Sequence, residues 1–297
     1  MKRAAGIVTI VAALGGQTFR SGTDAVRVDV LVTDRDVTVA GLTAQDFELR
    51  DNTVVQQIDA VAIEDLPVSM MLALDTSLSV GGSALDDLKR AATAALEALD
   101  PRDRAALITF SSALRMRADW TSDRAAVRQT LESLTAGGRT AVWDAAYAAM
   151  TMRDDDPTRR SLVVLFSDGA DTGSWLPHAA IVERARRSEV VVYGVSVGTP
   201  ETRLPILHRS GIRLSDARPA GTAAILPQLA DITGGRSLRA GNTGALAETF
   251  RRIVREFRTR YLLTYSPRNV APDGWHAIDV KLKNRRGEVR ARRGYLR

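Results

Sequence analysis

The sequence predicts an α/β protein: a doubly wound, mainly parallel sheet flanked by helices, inserted in a small antiparallel β-sandwich formed by the two chain ends. Three observations carry this. In the middle of the chain, unbroken apolar runs such as Leu162 to Phe166 recur between helix-like stretches. Strands that are apolar on both faces, with helices between them, belong to parallel sheets covered on both sides. At both ends the rhythm changes to alternation, as in Val26-Arg27-Val28-Asp29-Val30, which is the pattern of a half-buried strand. Neither end is long enough to bury a core alone, so the two are expected to pair.

At the start, Lys2 and Arg3 precede the apolar run Ala4 to Leu14, and Ala13-Leu14-Gly15 supplies small residues ahead of polar Gln17 and Thr18. Residues 1–19 therefore read as a secretory signal peptide, with a frayed first strand or helix as the alternative. The expected address is secreted or periplasmic, tethered only if this segment stays uncleaved. No other stretch approaches the roughly 20 apolar residues of a membrane span.

The discontinuous sandwich takes residues 20–65 plus 258–297. Its strands are read at Val26 to Thr33, Phe47 to Arg50 before the turn pair Asp51-Asn52, Arg260 to Ser266, Trp275 to Lys283 and Glu288 to Arg293, with Asn284 to Gly287 as a hairpin turn. The inserted α/β domain takes residues 66–257. Its strands are Val68 to Leu74, Arg104 to Phe110, Leu162 to Phe166, Val190 to Val197 and a short one near Ser237. Its helices are Leu85 to Leu99, Asp123 to Leu134, Ala141 to Met152, Leu176 to Arg187, Leu226 to Thr233 before the stop Gly234-Gly235, and Ala245 to Phe257. Pro200 to Gly221 carries no clear pattern.

Composition narrows the function classes. With 297 residues, 45% hydrophobic and 26% charged, the chain is globular rather than disordered, collagen-like or multi-span. The absence of cysteine excludes disulfide scaffolds, thiolate metal sites and cysteine nucleophiles. The net charge of +6 is partly concentrated from Lys281 to Arg297, where eight basic residues face the single acid Glu288. That strand either protects an exposed sheet edge or contacts an anionic surface polymer. Nucleic acid is not expected as a partner, because no aromatic residues interleave for base stacking.

The chemistry converges on three loops. The strand ending at Leu74 runs into Asp75-Thr76-Ser77-Leu78-Ser79, which sets a carboxylate and two hydroxyls on alternate positions. The strand ending at Phe166 runs into Ser167-Asp168-Gly169, and between them Gly137-Gly138-Arg139-Thr140 offers a third hydroxyl ahead of a helix. In an open doubly wound sheet, ligands bind outside the carboxyl ends of the strands where strand order reverses. If these two strands flank that point, Asp75, Ser77, Ser79, Thr140 and Asp168 form a hard-oxygen site for Mg²⁺, with Mn²⁺ or Ca²⁺ as alternatives. Taken singly, Asp75 with Ser77 reads as an Asx turn and helix cap, and Asp168-Gly169 as a turn. Independent turns have no reason to converge on one crevice.

The pattern Asp75-x-Ser77-x-Ser79 with Thr140 and Asp168 resembles the metal-ion-dependent adhesion site of von Willebrand factor A domains. The flanking Arg27-Val28-Asp29-Val30, Gly41-Leu42-Thr43-x-x-Asp46-Phe47, Tyr261-Leu262-Leu263-Thr264-Tyr265-Ser266-Pro267 and Arg292-Arg293-Gly294-Tyr295 resemble the VWFA-related family frequent in Acidobacteria. The resemblance implies a Rossmann-like fold and a bacterial, adhesion-type binding protein rather than an enzyme. It implies a metal that accepts an acidic side chain of a protein partner as its last ligand. A cell-envelope assembly scaffold, working with a larger complex or a MoxR-type ATPase, is the second reading. Arg139 departs from the small polar residue more usual before the threonine. It either helps to hold an acidic ligand or competes with the cation by pairing with Asp168. Trp175 is expected either on the rim of the site as a partner anchor or in the core.

Gly194-Val195-Ser196-Val197-Gly198 matches the nucleophile elbow of serine hydrolases, with His208 and His276 later in the chain and Asp216 or Asp231 before the second of them, but Ser196 sits in continuing strand sequence. Three histidines at no metal-ligand spacing argue against zinc catalysis. Asp144 is read as a helix-dipole carboxylate, with support of the metal ligands from behind as the alternative, Asp171 and Ser174 as caps for the helix that follows them, and Asp154 to Asp156 as a solvated loop before Pro157.

Overall fold

A computed structural model describes residues 25–63, 66–168, 171–197 and 221–297. The expected signal segment, Gly169, His208 and Asp216 lie outside the described residues, as does most of the stretch from Pro200 to Gly221.

In chain order the elements are β1 (Val26–Asp34), β2 (Val37–Thr38), β3 (Phe47–Asp51), β4 (Val54–Gln56), β5 (Ile58–Ala62), β6 (Val68–Asp75), α1 (Ser83–Glu97), β7 (Arg104–Phe110), β8 (Leu114–Thr121), α2 (Arg124–Glu132) and α3 (Val142–Thr151). There follow β9 (Arg160–Phe166), α4 (His178–Arg187), β10 (Val191–Val197), α5 (Gly221–Thr233), β11 (Ser237–Ala240), α6 (Leu246–Arg258), β12 (Tyr261–Tyr265), β13 (Trp275–Leu282), β14 (Glu288–Ala291) and β15 (Gly294–Leu296).

Six strands form the central sheet in the order β11-β10-β9-β6-β7-β8. All neighbouring pairs are parallel except β7 with β8. From β6 the chain goes first to β7 on one side and later to β9 on the other, so strand order reverses between β6 and β9, which is the condition for Asp75 and Asp168 to meet. Every residue of β6 is buried. Its alternation sends Met70, Leu72 and Leu74 to the face covered by α1, α2 and α6, and Met71 and Ala73 to the face covered by α3, α4 and α5. Burial on both faces is why the strand reads as continuous apolar sequence. Helix α6 buries Phe250, Ile253, Val254 and Phe257, one stripe of a helical surface, and leaves its arginines outside. Asp123 caps α2, its Oδ1 accepting from the backbone of Ala125 and Ala126 at 3.0 and 3.1 Å.

Around the central sheet two elements differ from the sequence reading, and in the terminal sheets the short strands β2, β4, β5 and β15 are additional. Strand β8 was not expected; it lies at the sheet edge, where its alternating charged residues give none of the continuous apolar signal of the central strands. Helix α5 begins five residues before Leu226 and runs through Pro227, whereas proline is ordinarily read as marking a helix start.

The chain ends contribute two further sheets, β14-β1-β12-β5 with β2 on β1, and β15-β13-β3-β4. Each combines strands from both ends: β1 pairs with β12 and β14, and β13 with β3, all antiparallel. Between them lie Val28, Val30, Phe47, Leu49, Leu263, Ile278 and Val280, all buried. The turn at 284–287 does not close a hairpin. Strands β13 and β14 belong to different sheets, and the turn carries the chain across the sandwich. Alternation identifies which residues point inward but not which sheet receives the strand.

Arg260, fully buried, joins the terminal sheets to the central one. It donates to the carbonyls of Gly234 at 2.7 Å and Asp29 at 3.2 Å. Arg160, at the start of β9, pairs with Asp29 on β1. No helix among the described residues is long and apolar enough to cross a membrane.

Candidate metal centre

Because Leu74 pairs with Phe166, the residues that follow them emerge side by side at the carboxyl end of the sheet. Asp75 is fully buried there. Its Oδ2 accepts from the Ser167 hydroxyl at 2.7 Å and its Oδ1 from the Ser77 backbone N–H at 2.8 Å. The Ser77 and Ser79 hydroxyls lie 3.0 Å apart, and Ser79 Oγ donates to Asp168 Oδ1 at 2.9 Å. Asp75, Ser77, Ser79 and Asp168 thus form one connected row of oxygens across the point where strand order reverses.

Thr140 comes to the same place through its backbone. Gly137 N–H donates to the Thr76 carbonyl at 2.8 Å, and Leu78 N–H to the Gly138 carbonyl at 3.1 Å, so the two loops are joined. Thr140 is nearly buried; its N–H donates to Thr172 Oγ1 at 3.1 Å and its carbonyl accepts from Thr172 and Gly173. Gly138 has φ +87°, and a Cβ there would stand 2.7 Å from Ser112 Oγ, the atom that accepts from Arg139 N–H. Only glycine fits that turn without displacing its support.

The electrostatics are unbalanced. Burial raises the Asp75 carboxyl above its ordinary value, and the negative charge of Asp168 raises it further, while hydrogen bonds from Ser77 and Ser167 act the other way. Among the described residues no basic side chain forms an ion pair with Asp75 or Asp168. Nor is there a cluster of three histidine or carboxylate groups able to hold a metal. A cation here would be held by carboxylates and hydroxyls together, and that all-oxygen donor set suits a hard divalent ion.

Trp175 is 91% exposed, so it lies on the surface rather than in the core. Leu78, between the two loop serines, is 74% exposed and was missed, because an apolar residue inside a ligand motif reads as packing. Arg139 is exposed and makes no ion pair with Asp168 among the described residues. Gly173 lies against Arg139, a Cβ there standing 3.4 Å from Arg139 Cβ, which brings the Trp175 loop alongside the glycine loop.

Two local roles differ from the sequence reading, and Asp144, in the first turn of α3 as expected, gains a further one. Asp171 and Ser174 do not cap the helix that follows them. The Ser174 hydroxyl accepts from the backbone of Trp143 and Asp144 at 3.1 and 3.2 Å and so caps α3, and it donates to Asp171 at 2.6 Å. Asp144 in turn accepts from the backbone N–H groups of Trp175 and Leu176 at 3.0 and 2.9 Å, fastening the rim loop to α3. Asp154 is not solvated but buried, accepting from the Ser69 hydroxyl at 2.7 Å.

Ser196 lies within β10, paired in register with Arg239 of β11, and not at a strand-to-helix corner. His276 is buried in the sandwich on Asp51, at 2.8 Å. Along the basic C-terminal stretch, Lys281, Arg285, Arg290 and Arg293 each pair with a carboxylate of the chain, and β14 is a sheet edge.

Residues 70–170 match the family model described as the von Willebrand factor type A domain, a span that contains all five candidate ligands. No curated protein matches the chain. Among solved structures, the conserved hypothetical protein BatB from Bacteroides thetaiotaomicron is similar at 19% identity, covering 64% of this chain and 98% of its own, with a TM-score of 0.50. A von Willebrand factor type A protein from Catenulispora acidiphila is similar at 14% identity over 86% of this chain and 73% of its own, TM-score 0.53. Proximal thread matrix protein 1 from the mussel byssus, solved with a zinc-occupied MIDAS motif, is similar at 14% identity over 70% of this chain and 49% of its own, TM-score 0.53. The central sheet with its helices has the von Willebrand factor A fold.

Proposed function

We propose that the protein is an exported, metal-dependent binding module that engages an acidic side chain of a protein partner through a Mg²⁺ site. The observation that carries this is the row of oxygens from Asp75 through Ser77 and Ser79 to Asp168, with two carboxylates and no cationic partner among the described residues. Asp75, Ser77, Ser79, Thr140 and Asp168 would hold the ion, directly or through water. Adjacent oxygens around an octahedral Mg²⁺ are about 3 Å apart, given Mg–O distances of about 2.1 Å. The spacings of 3.0 and 2.9 Å between these side chains suit that ion with little rearrangement. Bound there, the cation supplies a Lewis-acidic position for an anionic oxygen. A mussel relative of the same fold holds zinc at a MIDAS motif, which supports the metal reading.

The residues around the ion define the partner's chemistry. Exposed Arg139 adds positive charge beside the open position. Exposed Leu78 and Trp175 offer apolar contact on either side of the glycine loop, so the fitting ligand is an acidic residue flanked by apolar ones. Export follows from the signal-like residues 1–19.

The test is fluorescence polarisation with synthetic peptides carrying a central Asp between apolar residues, in Mg²⁺ and in EDTA. The reading expects binding in Mg²⁺ that is lost in EDTA and lost when the peptide Asp becomes Asn. Equal binding in EDTA would contradict it.

A further inference from the structure

The central sheet has a second end, opposite the Asp75 loop. Where β9 and β10 begin, at Arg160 and Val191, a cleft of about 670 Å³ opens between them, the start of β1 and the end of the chain at β15. That is the volume of a small-molecule site. Seven arginines and four acids line it.

Three of those arginines are neutralised within the cleft: Arg160 by Asp29, Arg159 by Asp156 at 3.1 Å and Arg153 by Glu189 at 2.9 Å. Three others have no carboxylate partner in it. Arg27 is exposed and makes no ion pair among the described residues. Arg187 pairs at 2.6 Å with Glu183, outside the cleft lining, and is half exposed. Arg292 donates Nε to the Gly294 carbonyl at 2.7 Å and has no carboxylate within ion-pair distance among the described residues. Burial holds its guanidinium below the usual arginine range, while the carboxylates of Glu189 and Asp29 act the other way without closing on it as ion pairs. A charge withdrawn from water is costly unless an anion completes its surroundings. Guanidinium forks also match the paired oxygens of phosphate and carboxylate groups.

We infer that this cleft binds a compact, multiply charged anion bearing phosphate or carboxylate groups, held by Arg27, Arg187 and Arg292. It lies at the opposite end of the sheet from the metal site and does not depend on it. Concavity and small volume favour a small molecule over a surface polymer.

Calorimetric titration of the full chain with sodium pyrophosphate, after removal of divalent metal and then of the chelator so that neither a metal-bound anion nor a polycarboxylate chelator contributes, tests this directly. The expected result is saturable one-site binding, weakened at least about tenfold by Arg27→Glu and, independently, by Arg187→Glu. Arg27 is exposed and unpaired, so Arg27→Glu should leave the melting temperature unchanged; Arg187→Glu should lower it slightly, because it replaces the Glu183 ion pair with a like-charge contact at the end of α4. Arg139→Glu, the same charge change at the far end of the sheet, should alter affinity by no more than about twofold. Competition by citrate would assign carboxylates as well as phosphates to the site; no competition would assign phosphates alone. Absence of saturable binding, or an equal loss in Arg139→Glu, would overturn the inference.

Discussion

Ser167 donates its hydroxyl hydrogen bond to Asp75 across the junction of β9 and β6, at 2.7 Å, so the carboxylate at the end of one strand is held by the residue following the other. Ser77 N–H holds the second oxygen from the Asp75 loop itself. Together they fix a fully buried carboxylate close enough to Asp168 to feel its charge, yet neither supplies a positive one.

Asp75 titrates above its ordinary value of 3.8 because it is buried. Below 3.8 it is protonated in both the folded and unfolded states and contributes nothing to the pH dependence. As pH rises from there through the raised folded value, the unfolded chain ionises first, so Asp75 removes stability from the metal-free protein. A cation reverses that sign by favouring the ionised form. The stabilisation that Mg²⁺ adds should therefore be small near pH 4 and grow as pH rises through the raised value. Melting temperatures with Mg²⁺ minus those with EDTA, followed against pH, check this; a difference independent of pH would contradict it. Taking the difference removes the opposite contributions of Asp36 and Asp156, whose carboxyls are lowered by hydrogen bonds and nearby arginines.

Gly138→Ala should damage the site from outside its ligands. Its φ of +87° costs an alanine about 1–2 kcal/mol, and the new Cβ would meet Ser112 Oγ. Chemical denaturation should show that loss, with weakened Mg²⁺ binding beside it because the Thr140 loop moves. Unchanged metal affinity would mean that Thr140 is not a ligand.

The rim separates stability from binding. Leu78→Ala and Trp175→Ala remove side chains that are 74% and 91% exposed, so stability should change by no more than about 0.5 kcal/mol. If the two anchor a partner, affinity for an acidic peptide should fall about tenfold or more, since apolar anchors dominate binding energy. Polarisation measurements on the two variants check this, and undiminished affinity would remove them from the interface.

How far the sequence could be read depended on the kind of signal. The adjacency of β6 and β9 was legible, because strands buried on both faces and a carboxylate at each carboxyl end leave few arrangements. The edge strand β8 was not, since half-exposed alternation also suits loops. The exchange in which Ser174 caps α3 while Asp144 holds the Trp175 loop was misassigned, because capping residues were matched to the nearest helix in sequence when the partner lay about 30 residues back. Likewise, alternation marks the inward side chains of β13, but burial does not alternate along β14, and the sheet each one joins depends on pairing that alternation does not encode.

Calorimetric titration of chelator-stripped protein with Mg²⁺ and Mn²⁺, beside Asp75→Asn, decides whether Asp75 is a metal ligand. Asparagine keeps the shape of the side chain and an oxygen for Ser77 N–H while removing the charge. One saturable site is expected in the wild-type protein and none in the variant, with both folded. Equal affinity in the two proteins, or no binding in the wild type, would contradict it.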